Sequence, residues 1–290
     1  MPPKFEKVSV PPLFDFDGFD PKVLYQMVPV GGTREMAVVT DADECTIIVD
    51  PPDIARMQRF VFIRPLLEVP REFRAAVTPN NRITFQIFGQ KKGNTSIFLV
   101  DRSGRMISVL QVSVKEKLRK QIAACRLNDR VHICPFSVAE IPRIIDGVKK
   151  TYLQQANIEL VQIGDTLEVT TPEDLGNPLA MDKPGNLQAV LDKTPLIAFR
   201  ADFCLYFTWD LRSLTKGNIV GQNFGFSCFV EQENDFFENA ITAAHELGHG
   251  LGLSHSAPAA KGLMAADGNS RSSKIQQFEI DTINRTDDTP

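Results

Sequence analysis

Three histidines and one glutamate near the carboxyl end have the types and the spacing needed to hold a metal ion and act beside it. They lie in the segment HELGHGLGLSH, which places His245 and His249 four residues apart. Side chains four residues apart share one face of a helix, so both imidazoles can bind a single ion. Glu246 is turned by about 100° along the same helix, away from that face. The pattern therefore predicts a metal site with a carboxylate beside it.

Gly252 and His255 complete the predicted site. Glycine accepts the left-handed backbone that ends a helix and turns the chain sharply, so Gly252 lets His255 return as a third ligand. Three neutral imidazoles leave one position of Zn²⁺ open, as in catalytic zinc sites. We therefore expect zinc at His245, His249 and His255, with Glu246 as the general base. The alternative is a buried helix whose histidines are satisfied by hydrogen bonds.

The same segment matches the pattern H-E-x-x-H-x-x-G-x-x-H and resembles the active-site helix of the metzincin metallopeptidases. In that family a methionine in a tight turn lies beneath the metal, and Met264 in the segment GLMA fits this Met-turn. The spacing of Ile275, Ile280 and Ile283 resembles the C-terminal helix of the matrixin branch. The resemblance implies a zinc metalloendopeptidase (EC 3.4.24 class) that hydrolyses peptide bonds in a protein or peptide substrate with a zinc-activated water.

Helical and strand patterns alternate through the carboxyl-terminal half. A stripe of apolar residues with helical spacing follows Ser137 and Glu140, which have the spacing of a capping box; the stripe consists of Ile141, Ile144, Ile145, Val148 and Tyr152. Strands are predicted near 158–163, 203–209 and 224–230, and further helices near 237–251 and 273–284. The Pro- and Gly-rich stretch 171–195 is predicted to be a loop. The resemblance then implies that residues 126–290 form a metzincin-type domain with a mixed sheet and three helices.

The resemblance also places a strand over the cleft, between two of the predicted strands. This edge strand would be the segment 217–221, with Asn218, Ile219 and Val220 at its centre. An unpaired strand edge can receive an extended peptide by strand addition. A plain connecting loop is an equal alternative for this segment.

The amino-terminal half has the period-two pattern of β-strands. Ile83, Phe85 and Ile87 alternate with polar residues, and turn residues separate short strands at roughly ten-residue spacing. Residues 88–104 resemble the last strands of bacterial immunoglobulin-like modules. We therefore expect a β-sandwich (Ig-like) domain over residues 36–120, and the fold class of the whole chain is expected to be α+β.

Residues 1–35 are rich in Pro, Asp and Phe and are predicted to form an extended N-terminal arm. Asp15, Asp17 and Asp20 could suggest calcium, but the glycine and the distal glutamate of an EF-hand loop are missing. Solvated turn residues are the preferred interpretation. The arm could also lie across the cleft and inhibit it.

Charge and cysteine content limit the partners. With 32 basic and 36 acidic residues, the net charge is −4, so nucleic acid is not an expected partner. No apolar run is long enough for a membrane span, and no signal peptide is recognisable, which leaves non-classical secretion or a cytoplasmic location. The five cysteines lack C-x-x-C spacing, and neither Cys45 nor Cys125 lies in a recognisable switch motif.

Two other functions remain open at this point. One is a metal-binding, non-catalytic recognition module whose β domain does the binding. Glu246 argues against it, because metal binding does not need that carboxylate. The other is a secreted toxin or effector protease whose β domain binds a target or a delivery partner.

Overall fold

A computed structural model describes most of the chain, in nine stretches: residues 4–7, 23–40, 44–59, 72–76, 81–101, 103–233, 235–256, 262–266 and 271–285. The chain divides into two compact units. The first unit comprises Met1–Leu118, Gln154–Asn157 and Lys274–Asn284. The second unit comprises Arg119–Leu153, Ile158–Ser273 and Arg285–Pro290.

The first unit contains two sheets. An antiparallel sheet has the order β1-β3-β7-β5, with β1 at Lys4–Lys7, β3 at Thr33–Thr40, β7 at Asn81–Gly89 and β5 at Ala55–Arg59. The other sheet has the order β2-β9-β8-β4-β6, with β2 at Leu24–Pro29, β9 at Met106–Lys115, β8 at Gly93–Val100, β4 at Glu44–Asp50 and β6 at Glu72–Ala76. Strands β2 and β9 are parallel.

Both sheets contribute to one apolar core. Ile97 and Leu99 alternate with more exposed residues along β8 and are fully buried. They belong to the same cluster as Met36 and Val38 of β3 and Ile87 of β7. Alternation with period two puts one face of each strand inside, and burial of that face stabilises the sheet pair by roughly 1.5–3 kcal/mol for each large side chain.

The predicted N-terminal arm is wrong where the structure describes it. Residues Lys4–Lys7 pair with β3 and Leu24–Pro29 pair with β9, so both segments are sheet strands. Phe5 and Val28 lie in the core, and burial of such residues favours pairing over an arm on the surface. The aspartates at 15, 17 and 20 lie outside the described residues.

The second unit is built on a mixed sheet of six strands. Its order is β11-β10-β13-β17-β16, and β12 pairs with β10 beside that path. The strands are β10 at Leu118–Asn128, β11 at Ile158–Gln162, β12 at Leu167–Thr170, β13 at Phe203–Thr208, β16 at Gly221–Phe224 and β17 at Ser227–Glu231. Strands β10, β13 and β17 are mutually parallel, and β16 is antiparallel to β17. A separate hairpin joins β14 at Leu211–Ser213 to β15 at Gly217–Ile219.

Four α-helices occur among the described residues: α1 at Glu140–Ala156, α2 at Asn186–Lys193, α3 at Phe236–Gly250 and α4 at Gln277–Arg285. Helix α1 begins with reciprocal hydrogen bonds, because the Ser137 N–H donates to Glu140 Oε2 at 2.8 Å and the Glu140 N–H donates to Ser137 Oγ at 3.2 Å. Of the described helices, none has both the length and the apolar character that crossing a membrane requires.

The expected fold class is wrong. The described residues are mainly β, with 42% in strands and 23% in helices, and they form several sheets in place of one metzincin-type sheet with three helices. Helix α2 lies inside the stretch 171–195 that was predicted to be a loop. It forms there because Pro184 and Gly185 precede it and Pro195 follows it, so the breakers flank a helical segment of eight residues.

Except for Arg285, helix α4 belongs to the first unit, which includes Lys274–Asn284.

Candidate metal centre

Helix α3 carries the first two histidines and is buried over most of its length. Asp235 caps it, because its carboxylate accepts a hydrogen bond from the Phe237 N–H at 3.2 Å. The helix ends at Gly250, and Gly252 follows with a φ of 89°, a left-handed conformation. The Leu253 N–H donates back to Gly248 O at 2.9 Å, which closes the helix end. This turn brings His255 back beside the helix.

The three imidazoles meet at their Nε2 atoms. His255 Nε2 lies 3.2 Å from Nε2 of His245 and 3.2 Å from Nε2 of His249. Neighbouring nitrogens around a tetrahedral zinc with bonds of 2.0–2.1 Å are about 3.3 Å apart. The spacing in this chain therefore fits three ligands of one zinc ion.

Hydrogen bonds at the opposite ring atoms fix two of the histidine tautomers. His245 Nδ1 lies 2.7 Å from Leu263 O, and His249 Nδ1 lies 2.8 Å from Leu253 O. A carbonyl oxygen only accepts, so both Nδ1 atoms carry the proton and both Nε2 atoms present lone pairs. These two lone pairs point toward the third Nε2 atom, so one cation placed among the three nitrogens can be bound by all of them. The three Nε2 atoms can therefore act as metal ligands, with carbonyl oxygens orienting two of the rings from the opposite side.

Burial, together with nearby positive charges, keeps the histidines neutral, as metal binding requires. Burial lowers the pKa of His245 to about 3, and the positive charge of Arg271 acts in the same direction. Burial also lowers the pKa of His249 and of His255, and both feel the positive charges of Arg271 and Lys216. All three imidazoles are therefore unprotonated near neutral pH.

Glu246 lies beside the histidines, and its side chain is almost completely buried. Its Oε1 atom is 4.0 Å from His245 Nε2, so the carboxylate neighbours the metal position without joining the three nitrogens. Burial raises the pKa of Glu246 to about 7, while the charges of Arg271 and Lys216 act to lower it. In the metal-free chain the Glu246 carboxyl therefore has a pKa close to neutral pH.

Met264 lies in a turn against helix α3. The Ala265 N–H donates to Gly262 O at 3.3 Å, and the Ser256 N–H donates to Met264 O at 2.8 Å. A Cβ atom at Gly248 would lie 2.5 Å from Met264 Sδ, so the thioether fills the space that Gly248 leaves on the helix. Met264 is fully buried, and it packs as a core residue against the helix at Gly248, which lies between the two helix histidines along the chain.

A cleft of about 1170 Å³ in the second unit opens onto the three histidines and Glu246. Asn218, Ile219 and Val220 line it, as does Gly221 at the start of β16. The predicted edge strand at 217–221 needs correction, because Gly217–Ile219 pair with β14 and the edge strand of the main sheet is Gly221–Phe224. Val220 lies between the end of β15 and the start of β16, and its carbonyl oxygen accepts a hydrogen bond from the Glu231 N–H at 2.9 Å.

A second cluster of metal-ligating residue types was missed from the sequence. Asp129, His132 and Asp174 place their ligand atoms within 4.8 Å of one another. The Asp129 carboxylate accepts hydrogen bonds from the N–H groups of Val131 and Leu175 and from His132 Nδ1. These donors use most of its lone pairs, so the cluster orders a turn. The signal was the spacing of Asp129 and His132, which allows an Asp side chain to bind backbone N–H groups just after it.

The cysteines that the structure describes do not approach the metal centre as ligands. Cys125 Sγ lies 3.3 Å from Cys204 Sγ, between the parallel strands β10 and β13, and both residues are buried. The Cys45 side chain lies outside the described residues. A cysteine switch therefore has no support from Cys125, which is held within the sheet.

Comparison with known proteins links part of the first unit to secretion systems. Residues 74–115 match the family model of the pilus formation protein N-terminal region, from type II and type III secretion systems. This match covers less than half of the chain. No curated protein matches the chain in sequence.

Two solved structures match parts of this chain with low scores. Domains 4 and 5 of the S-layer protein SbsC have 14% identity and a TM-score of 0.23, over 39% of this chain and 53% of that one. The chain thus spans about half the length of that S-layer fragment. WR4, an MSP family member of C. elegans, has 10% identity and a TM-score of 0.22, over 31% of this chain and 91% of that one. Scores this low carry no argument about the fold.

These comparisons contradict the identification with the metzincin family. The matching family is a secretion-system domain, and the comparisons give no protease family for this chain. The predictions of a metzincin, of a zinc metalloendopeptidase and of an enzyme that hydrolyses peptide bonds are therefore wrong, as is the description of the chain as a hydrolase. The match lies wholly in the first unit, whereas the three histidines lie in the second.

Proposed function

We propose that this chain is a zinc-binding protein with a role in protein secretion. The second unit holds one Zn²⁺ ion at His245, His249 and His255, and the first unit binds a protein partner. With three nitrogen ligands from the chain, a bound zinc would have room for one further ligand. Glu246 accepts or donates a proton beside that ligand.

The single observation that carries the metal assignment is the convergence of three imidazole Nε2 atoms at 3.2 Å. Two of these atoms present lone pairs because their rings donate from Nδ1 to carbonyl oxygens. Burial keeps all three rings neutral. Three neutral nitrogen donors in this arrangement favour zinc over calcium or magnesium, which prefer oxygen ligands.

The similarity to the pilus formation protein N-terminal region supports a secretion-associated role. The matched residues 74–115 include strands β7, β8 and β9, which come from both sheets of the first unit. The match therefore extends across the core of that unit. The net charge of −4 favours a protein partner over nucleic acid.

The test is a pair of substitutions in the organism that encodes the chain. His249→Ala removes a zinc ligand, and His132→Ala removes a histidine outside the metal centre in the same unit. We expect His249→Ala to lower the amount of secreted or pilus protein in the medium, and His132→Ala to leave it unchanged when both variants accumulate to the normal level. Normal secretion by a His249→Ala protein that has lost its zinc would contradict the proposal.

A second outcome would also contradict it. The purified, zinc-loaded chain is incubated with a mixed peptide library, and the products are identified by mass spectrometry. The proposed role needs no peptide cleavage. Cleavage by the unmodified chain that Glu246→Gln abolishes would show that zinc and carboxylate act together in hydrolysis.

A further inference from the structure

The cleft at the metal centre contains an uneven distribution of charge. Three basic residues line it together with the three histidines: Arg212, Lys216 and Arg271. Lys216 and Arg271 are close enough to lower the pKa of His249 and of His255 through their positive charge. Lys216 and Arg271 therefore place positive charge near the metal position even before a metal ion adds its own.

Lys216 is available to a ligand. It lies exposed in the turn between β14 and β15, and it makes no ion pair with another residue in the described stretches of the chain. Its main-chain N–H donates a hydrogen bond to Ser213 Oγ at 3.2 Å. An ammonium group that borders a cleft without an internal counter-ion attracts an anionic ligand.

The acidic residues of the cleft act at a different place. The Glu231 carboxylate accepts a hydrogen bond from the Leu211 N–H, and its pKa is raised by burial and by the charges of Asp210 and Glu233. These carboxylates therefore repel one another near β14, whereas Lys216 lies in the turn that follows that strand. Glu246 is the carboxylate beside the histidines, and it is buried.

We propose that the cleft binds a carboxylate group of a polypeptide partner, with Lys216 beside the carboxylate and the three-histidine centre facing it. This inference rests on the proposed zinc site and names the chemistry of the ligand that the site takes. A carboxylate is both a ligand for zinc and a partner for an ammonium group, so one group satisfies both. The source is either an aspartate or glutamate side chain or a free carboxyl terminus.

Three N-acetylated peptides separate these sources. The first is Gly-Gly-Asp-Gly-Gly with an amidated end, the second has Asn in place of Asp, and the third has Asn and a free carboxyl end. Their affinities for the zinc-loaded full chain are measured by calorimetry at low ionic strength. We expect at least one carboxylate peptide to bind about tenfold more tightly than the neutral peptide. Added salt should reduce this preference.

Lys216→Gln and Lys193→Gln form a matched pair of variants. Lys193 is an exposed lysine of helix α2 that does not line the cleft. We expect Lys216→Gln to remove most of the preference for the carboxylate, and Lys193→Gln to keep it. In the cobalt-substituted chain, the favoured peptide should also change the visible absorption of the metal, whereas the neutral peptide should not.

Measurement of zinc content before each titration separates the two levels of the account. A chain that binds no zinc fails the proposed function and this inference with it. Equal affinities of the three peptides for a chain with about one zinc would overturn the inference alone. An unchanged preference in Lys216→Gln would overturn the role of Lys216.

Discussion

Gly221 and Glu246 are in such close contact that a side chain at position 221 has no room. A Cβ atom at Gly221 would lie 2.5 Å from Oε1 of Glu246 and 2.7 Å from its Cγ. Strand β16 therefore runs directly over the buried carboxylate. The absence of a side chain at Gly221 allows the strand to come this close. The carboxylate is enclosed between the edge strand and its own helix.

We expect Gly221→Ala to destabilise the metal-free chain by about 1–3 kcal/mol, because the added methyl group must displace the strand or Glu246. Urea unfolding after treatment with a chelator measures the effect. In a Glu246→Ala background the methyl group finds space, so the same substitution should cost much less. Equal costs in the two backgrounds would show that Gly221 and Glu246 do not interact.

Asp129 provides a test by pH. Burial of its carboxyl acts to raise the pKa, but hydrogen bonds from His132, Val131 and Leu175 outweigh burial, and the pKa lies below the ordinary value of 3.8. A carboxyl whose pKa is lower in the folded state stabilises the fold above its unfolded pKa. That contribution is lost as the pH falls through the folded pKa.

We therefore expect Asp129→Asn to destabilise the chain by about 1–3 kcal/mol at neutral pH. The difference from the unmodified chain should shrink as the pH falls below about 4, the region of an unperturbed aspartate. Urea unfolding between pH 3 and 7 measures it. Asp165→Asn, at an exposed turn of the same unit, is the control and should show no such trend. If the loss of stability caused by Asp129→Asn did not vary with pH, the lowered pKa of Asp129 in the folded chain would be contradicted.

Lys115 and Asp281 form an ion pair in the first unit, with Nζ and Oδ1 2.5 Å apart. The Lys115 side chain is only 8% exposed and that of Asp281 18%. Removal of one partner leaves a charge with little access to water. We expect Asp281→Ala to cost about 3 kcal/mol in urea unfolding.

A second pair supplies the control for that prediction. Lys4 and Glu6 lie 2.9 Å apart, with side chains 51% and 35% exposed. Solvent screens such a pair, so Glu6→Ala should cost less than about 1 kcal/mol. The double variant with Lys115→Met and Asp281→Leu should recover most of the lost stability. Similar losses for Asp281→Ala and Glu6→Ala would show that burial does not strengthen the first pair.

Features set by neighbouring residues could be predicted from the sequence. The spacing of His245 and His249, the glycine at 252 and the capping pair at Ser137 and Glu140 all act within one helix or its ends. Helical geometry fixes where such side chains lie, whatever the rest of the chain does. For that reason His245 and His249 lie side by side on α3, and Ser137 and Glu140 meet at the start of α1.

Features that depend on distant pairing could not be predicted in this way. Lys115 and Asp281 are separated by 166 residues, and Gly221 meets Glu246 through the pairing of β16 with β17. The edge strand of the main sheet lies at 221–224 because β15 pairs with β14 instead. No local sequence pattern predicts that pairing. The wrong prediction of an N-terminal arm has the same cause. Phe5 and Val28 are buried by residues that come close only when the sheets have folded.

The most direct test of the account is the zinc content of three purified proteins: the unmodified chain, His249→Ala and Glu246→Gln. Elemental analysis and competition with a chromogenic chelator give the stoichiometry and the affinity. We predict about one zinc for the unmodified chain and for Glu246→Gln, because the carboxylate lies beside the three nitrogens and is not one of them. His249→Ala should lose at least about 100-fold in affinity, since loss of a direct ligand exceeds the 10- to 100-fold effect of an outer partner. Full retention of zinc by His249→Ala, or no zinc in the unmodified chain, would contradict the three-histidine centre.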